Sequence, residues 1–378
     1  MDADVVRAVN DLTTRWARTL PSGGNTVVSG LGVWPLVALL ATAADEPGRS
    51  ELAAAAGVDA SRAGQDAIRL VEAIEGSADL HGALGVWVSE QLKLAESFDS
   101  VMPAPLVGLL TGNVSVDKAK LDAWAAEHTD DLIREMPVAL NPDVMLVLAS
   151  ALMLRTTWVR PFTEQVRRVS GGPWAGSWHW LERTDGDLDA VRRYDDLTVV
   201  TVRGDADVDV LLGIGSADVL AGLLAAAARP DDGVPGSELI LQDQPGPGLR
   251  IGQTTSARPD LKVALPSFSI EVEHDLLESP AEVFGLGAVA SSPGLFSALS
   301  PTPLQVGEAR QKVLARFFAT GFEAAAVTAM AMTRAAMVTS HERRLEVVFD
   351  QPFAFAAVLR ESRLPIVAGW VARPTEPA

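Results

Sequence analysis

Gly321-Phe322-Glu323-Ala324-Ala325-Ala326-Val327-Thr328-Ala329-Met330-Ala331-Met332-Thr333-Arg334-Ala335-Ala336-Met337 is a run of small side chains whose only charges are Glu323 and Arg334. Its local preferences conflict: alanine favours helix because it loses no side-chain entropy there, while Val327, Thr328 and Thr333 are β-branched and favour strand. Laid out as a strand, it places Phe322, Ala324, Ala326, Thr328, Met330 and Met332 on one face, and that face carries no charge. Alanines need little room and bury no polar side-chain atom. The same residues can therefore form an exposed loop and also enter a crowded sheet.

The flanks narrow the reading. Upstream stands Val306-Gly307-Glu308-Ala309-Arg310-Gln311-Lys312-Val313-Leu314-Ala315. Downstream come Val348-Phe349-Asp350-Gln351-Pro352-Phe353-Ala354-Phe355 and a late apolar strand, Pro365-Ile366-Val367-Ala368-Gly369-Trp370-Val371. Earlier in the chain, Val5 to Trp16 carries apolar residues at helical spacing, and Asn25 to Gly30 is a short strand leading into an apolar helix, Val33 to Ala43. Leu80 to Val88 reads as a buried strand, and Leu92 to Phe98 starts a helical piece. Leu121 to Thr129, continuing to Ile133, is an amphipathic helix. Val144 to Leu154 is apolar at nearly every position, as a strand buried on both faces would be. Val208 to Gly213 is a strand and Ala217 to Ala228 a helix. From Arg229 to Asp260, Pro, Gly, Asp and Gln mark surface connections around one short strand. Leu265 to Glu273 alternates, with Phe268, Ile270 and Val272 inward, before His274-Asp275-Leu276 enters a helix.

In order and spacing these segments resemble the serpin family over nearly the whole chain, most weakly from Ser170 to Asp260. Gly321-Phe322-Glu323-Ala324-Ala325-Ala326 matches the serpin hinge except at Phe322, and Trp158 with Arg160-Pro161-Phe162 completes a shared pattern. The resemblance implies an α+β serpin fold of three β-sheets and eight or nine helices, as one domain over 1–378 with a reactive-centre loop at about 320–345. It also implies a metastable suicide inhibitor of serine proteases that traps the acyl-enzyme by inserting its cleaved loop into the central sheet. A non-inhibitory binding protein or protease substrate of the same fold is the alternative. Counting from the hinge glycine puts the reactive bond at Ala335-Ala336, which suits elastase- or subtilisin-like pockets. Arg334-Ala335 is the second choice and suits a trypsin-like one. By the same resemblance, Ser29, Ser150 and Gln311 belong to the cluster at which the sheet parts, with Gly32, Ser150 and Gln311 replacing the Ser, Asn and His typical of the family. Phe322 is expected to be the first, bulky residue to enter.

Composition bounds the remainder. A net charge of −18 argues against nucleic acid and anionic membranes as partners. The chain has no Cys, so disulfides and thiol chemistry are excluded. Its acidic start suggests no secretory signal, hence a cytoplasmic protein, or an extracellular one if the start is not native; a monomer is expected. The five His form no metal-ligand pair, no nucleophile elbow or phosphate-cradling loop occurs, and neither enzyme chemistry nor a cofactor or metal is expected. Gly285-Leu286-Gly287 lacks the third glycine of a dinucleotide loop. Asp185-Gly186-Asp187-Leu188-Asp189 reads as a solvated turn because the closing Glu of a calcium loop is missing. Trp174, Trp178 and Trp180 either fill a core or stack on a ligand.

Overall fold

The computed structural model describes residues 2–21, 23–75, 80–171, 174–216, 218–278, 281–322 and 342–375. These fall into two compact units, each assembled from separated stretches of chain. The first comprises 1–19, 28–154 and 271–314, and the second 20–27, 155–270 and 315–378.

In the first unit the apolar run Leu146–Leu154 forms a strand with neighbours on both sides. It runs antiparallel to Leu80–Ser89 and parallel to Glu308–Phe317, and Leu80–Ser89 pairs in turn with Val107–Leu110. Phe268–Asp275 lies against the other side of Glu308–Phe317. One face is covered by the helix Val114–His128, whose Leu121 and Ala125 bury with Trp87, Val147, Ala149 and Ala151. Trp124 meets Trp87 edge-to-face with ring centroids 5.7 Å apart. The helix Gly30–Ala43 is apolar on all sides and accordingly almost wholly buried.

The second unit holds two further sheets. One orders its strands Thr26–Val28, Pro365–Val371, Phe353–Leu359, Val208–Gly215, Leu197–Arg203, Val191–Tyr194 and Val234–Pro235. Gly369 belongs there for lack of space: a Cβ would lie 2.4 Å from the Thr26 carbonyl oxygen and 2.6 Å from the Phe355 ring. The other orders Leu249–Thr254, Glu342–Val348, Asp260–Pro266, Gly176–Asp185 and Thr163–Val169.

Three sheets and ten α-helices among the described residues give the expected α+β architecture, the count above eight or nine coming from segments as short as four residues. Several local expectations need correction. Leu92–Glu96 is irregular chain and the helix there is only Phe98–Val101. The amphipathic helix begins earlier, at Val114, where Asn113 caps it, and stops at His128. His274 and Asp275 close a strand, and the next helix waits until Ala281. Between Arg229 and Asp260 lie the strands Val234–Pro235 and Leu249–Thr254 with the helix Gly236–Gln242 between them.

Candidate functional site: a parallel seam and a seated hinge

Glu308–Phe317 is the element around which the site is built. Over Glu308 to Val313 it pairs directly with Val147 to Leu152, with no strand between. The residues it faces are Val147, Leu148, Ala149, Ser150, Ala151 and Leu152, all uncharged. On its other side are ion pairs: Lys312 reaches Glu271 at 2.9 Å and Glu273 at 3.0 Å, and Arg310 reaches Asp275 at 2.7 Å. Burial alone would lower the Lys312 ammonium, but hydrogen bonds and charge from Glu271 and Glu273 outweigh it and raise its pKa. The strand is thus stapled by charge to Phe268–Asp275 and held by its ladder and packing to Leu146–Leu154.

Ser29, Ser150 and Gln311 meet at the seam, and all three are fully buried. Gln311 donates from Nε2 to the Ser29 carbonyl at 2.9 Å and accepts on Oε1 from the Ser29 N–H at 3.1 Å. Ser29 Oγ accepts from the Gly32 N–H at 3.1 Å, capping the helix Gly30–Ala43. A Cβ on Gly32 would stand 2.5 Å from Ser150 Oγ and 2.9 Å from Gln311 Nε2, which is why glycine occupies the place. Ser150 Oγ is buried without a hydrogen-bond partner.

The last residues of Glu308–Phe317 make a second arrangement. Phe317 pairs antiparallel with Phe322, while Gly321 and Phe322 pair antiparallel with Thr157 and Thr156, the residues that follow Leu146–Leu154 after Arg155. The turn between is tied at every step. Phe318 N–H donates to the Gly321 carbonyl at 2.9 Å, Trp158 N–H to the Thr320 carbonyl at 3.0 Å, and Phe162 N–H to the Ala319 carbonyl at 2.7 Å. Trp158 Nε1 adds a bond to the Phe318 carbonyl at 2.9 Å. Phe322 is fully buried, its ring centroid 6.2 Å from that of Phe355. The expectation that Phe322 has yet to enter is therefore corrected: it is already inside, antiparallel to strands on both sides. Glu323, Ala324, Ala325, Ala326, Arg334, Ala335 and Ala336 lie outside the described residues.

The chain re-enters at Glu342–Val348, a feature the sequence reading did not single out. Leu249–Thr254 pairs antiparallel along one side of it, and Asp260–Ala264 pairs parallel along the other. Arg344 crosses all three strands, bonding Asp260 through Nε and Nη2 at 2.7 Å each and Thr254 Oγ1 at 3.0 Å. Burial would raise the Asp260 carboxyl, but the bonds from Arg344 and Thr254 and the Arg344 charge together hold its pKa below the usual value. Arg343 also pairs with Asp243.

Other candidate residues resolve more simply. Trp174 and Trp180 are buried, Trp174 Nε1 donating to the Ala372 carbonyl, so they are core and not a stacking platform. Asp185 pairs with Arg160 and Arg183, and Asp189 accepts from the Ser237 N–H, so these acids are engaged within the fold. Gly285-Leu286-Gly287 connects two short helices with no strand leading in.

The family described as Serpin (serine protease inhibitor) matches residues 7–170 and 249–374. Serpin-Z6C of Oryza sativa subsp. japonica is 23% identical, the alignment covering 98% of this chain and 96% of that one. Among solved structures, thyroxine-binding globulin in complex with thyroxine aligns with a TM-score of 0.71 at 16% identity, over 99% of both chains. The thermophilic serpin tengpin in its native state aligns with a TM-score of 0.73 at 15% identity, over 98% of this chain and 95% of that one.

Proposed function

Because the chain belongs to the serpin family, we propose that it is a suicide inhibitor of serine proteases, working as a monomer and as one serpin domain over residues 1–378. The observation that carries this reading is the seating of Gly321 and Phe322 antiparallel to both Phe317 and Thr156-Thr157, beside two strands otherwise paired directly. A strand with this entry geometry has only to continue in the same direction.

The target's serine hydroxyl adds to a loop carbonyl, an ester to that carbonyl forms, and the peptide C–N bond breaks with the proton going to the new amino terminus. The freed stretch after Phe322 then extends along Glu308–Phe317. Parting the seam loses one parallel ladder, and inserting a strand makes two antiparallel ones. Ten residues of partner strand give about ten net hydrogen bonds, or roughly 5–15 kcal/mol at about 0.5–1.5 kcal/mol each. The protease remains esterified to the moving end and is carried with it. Ala324, Ala326 and Thr328 suit rapid entry, which has to outrun hydrolysis of the ester. The reactive bond is assigned to Ala335-Ala336, with Arg334-Ala335 second.

Mixing with elastase-, subtilisin- and trypsin-like proteases tests this. The expected product is a covalent band that survives denaturation, at the protease mass plus most of 39.9 kDa. Clean cleavage with no such band across the panel refutes inhibition and leaves the binding-protein or substrate reading.

A further inference from the structure

Although the chain carries a net charge of −18, three arginines line one pocket of its second unit. Arg160 precedes the strand Thr163–Val169, Arg183 stands near the end of Gly176–Asp185, and Arg203 closes Leu197–Arg203. The pocket measures about 220 Å³, and Asp185, Asp187 and Thr201 share its lining. Three guanidinium groups against two carboxylates leave one positive charge in excess. We propose that this pocket binds a small oxyanion, a phosphate or a carboxylate. Five of the six residues lie outside 7–170 and 249–374, the stretches matched to the serpin family, so the site is built mostly from chain beyond that match. The inference does not depend on the inhibitor reading.

Arg183 forms the fixed wall. Its side chain is only 8% exposed, and its guanidinium carbon lies 4.6 Å from the Phe162 ring centroid. Nη1 donates to the Arg160 carbonyl at 3.0 Å and Nε lies 3.3 Å from Asp185 Oδ2, while Nη2 makes no hydrogen bond among the described residues. Burial, with the Arg160 charge, pushes its pKa down by more than Asp185 and Asp187 restore. Arginine nevertheless stays protonated in proteins. A buried cation so incompletely balanced gains from a further anion beside it. Asp185 is already committed, since its Oδ1 accepts from the Asp187 N–H at 2.8 Å and stands 3.4 Å from Arg160 Nη1. The exposed Arg203 has no ion pair or side-chain hydrogen bond among the described residues, and Thr201 adds a hydroxyl. Guanidinium forks match the paired oxygens of carboxylate and phosphate. Pockets for drug-sized ligands run to about 300–1,000 Å³, so this one takes a small group. Arg160 also stands between Trp158 and Phe162, whose N–H groups hold the hinge turn, which puts the ligand within two residues of those anchors.

Calorimetric titration of the full chain with sodium phosphate and, separately, with sodium acetate tests the site, at constant ionic strength because salt screens exposed charge. Saturable one-site binding is expected: phosphate alone would identify a phosphoryl ligand, and acetate as well a carboxylate. Arg203→Ala removes an exposed, unpaired side chain and should weaken binding at least roughly tenfold, as loss of one charged hydrogen bond implies, with the ligand-free melting midpoint unchanged. Asp187→Asn removes a competing carboxylate and should tighten binding. Arg250→Ala, at an exposed arginine of Leu249–Thr254, is the control and should leave it unchanged. No saturable binding of either anion, or equal affinities in Arg203→Ala and Arg250→Ala, overturns the proposal.

Discussion

Replacing Phe322 by alanine distinguishes a hinge already seated from one that waits outside. The side chain is fully buried, opposite Phe317 and against Phe355. Truncating a phenylalanine in such a site costs about 3–5 kcal/mol. A chain of 378 residues gains unfolding entropy of about 2.1 cal/mol/K per residue, or about 0.8 kcal/mol/K in all, so the midpoint should fall by roughly 4–6 °C. If Phe322 occupies the same place before and after cleavage, intact and nicked forms lose comparable amounts. The rise caused by nicking is then preserved. Differential scanning of both forms at one scan rate measures this, the fixed rate being required because the midpoint of an irreversible transition is a kinetic quantity. An intact form that melts within about 1 °C of wild type, while the nicked form loses several degrees, would show that Phe322 enters only on insertion and would refute the seated hinge.

Three further outcomes are expected. Ser150→Ala removes a buried hydroxyl without a partner and should stabilise the intact form by about 1 kcal/mol in urea, whereas Gln311→Ala removes two buried hydrogen bonds to the Ser29 backbone and should cost about 2–4 kcal/mol; the reverse order would mean that the seam is not held as described. Asp260 has a lowered folded pKa, so its stabilisation is present above its unfolded value of about 3.9 and is lost as pH falls through the lower folded one. The melting midpoint of the intact protein should fall below about pH 4, and Asp260→Asn should lower it already at neutral pH; a midpoint that does not change with pH in wild type counts against it. The fragment released from a protease complex should begin at Ala336 by mass spectrometry, or at Ala335 if Arg334 directs cleavage, and a start beyond Met337 excludes both.

The legible parts of the chain were those where burial is continuous. Val144 to Leu154 announces a strand buried on both faces, and Val33 to Ala43 a buried helix, because neither offers a polar side to solvent. Gly369 was legible because the Thr26 carbonyl and the Phe355 ring leave no room for a side chain. The strand Leu249–Thr254 was not: it buries only Leu249 and Thr254, and its partner Glu342–Val348 lies some ninety residues downstream, so no local period marks it. Arg344 reads as one more surface charge until Asp260 and Thr254 are brought to it. Phe322 misled for the opposite reason, since a large residue in a small-residue run looks like an obstacle when only the run is seen, and its pocket is built by Phe317, Thr156 and Phe355.

The position of Phe353–Leu359 and Pro365–Val371 between Thr26–Val28 and Val208–Gly215 bears on how the protein is made. Both inner strands come from the end of the chain, and Asn25 hydrogen-bonds to Ala372 and Arg373 across nearly the full sequence. During synthesis Val208–Gly215 therefore keeps one edge open until residues 353–359 have left the ribosome, and contacts of such sequence separation form slowly. A chain stopped at Pro352 would contain every residue of the hinge and the seam and would still lack the middle of a sheet. It should be recovered as an aggregate or as a substrate for quality-control proteases, not as a weakened inhibitor.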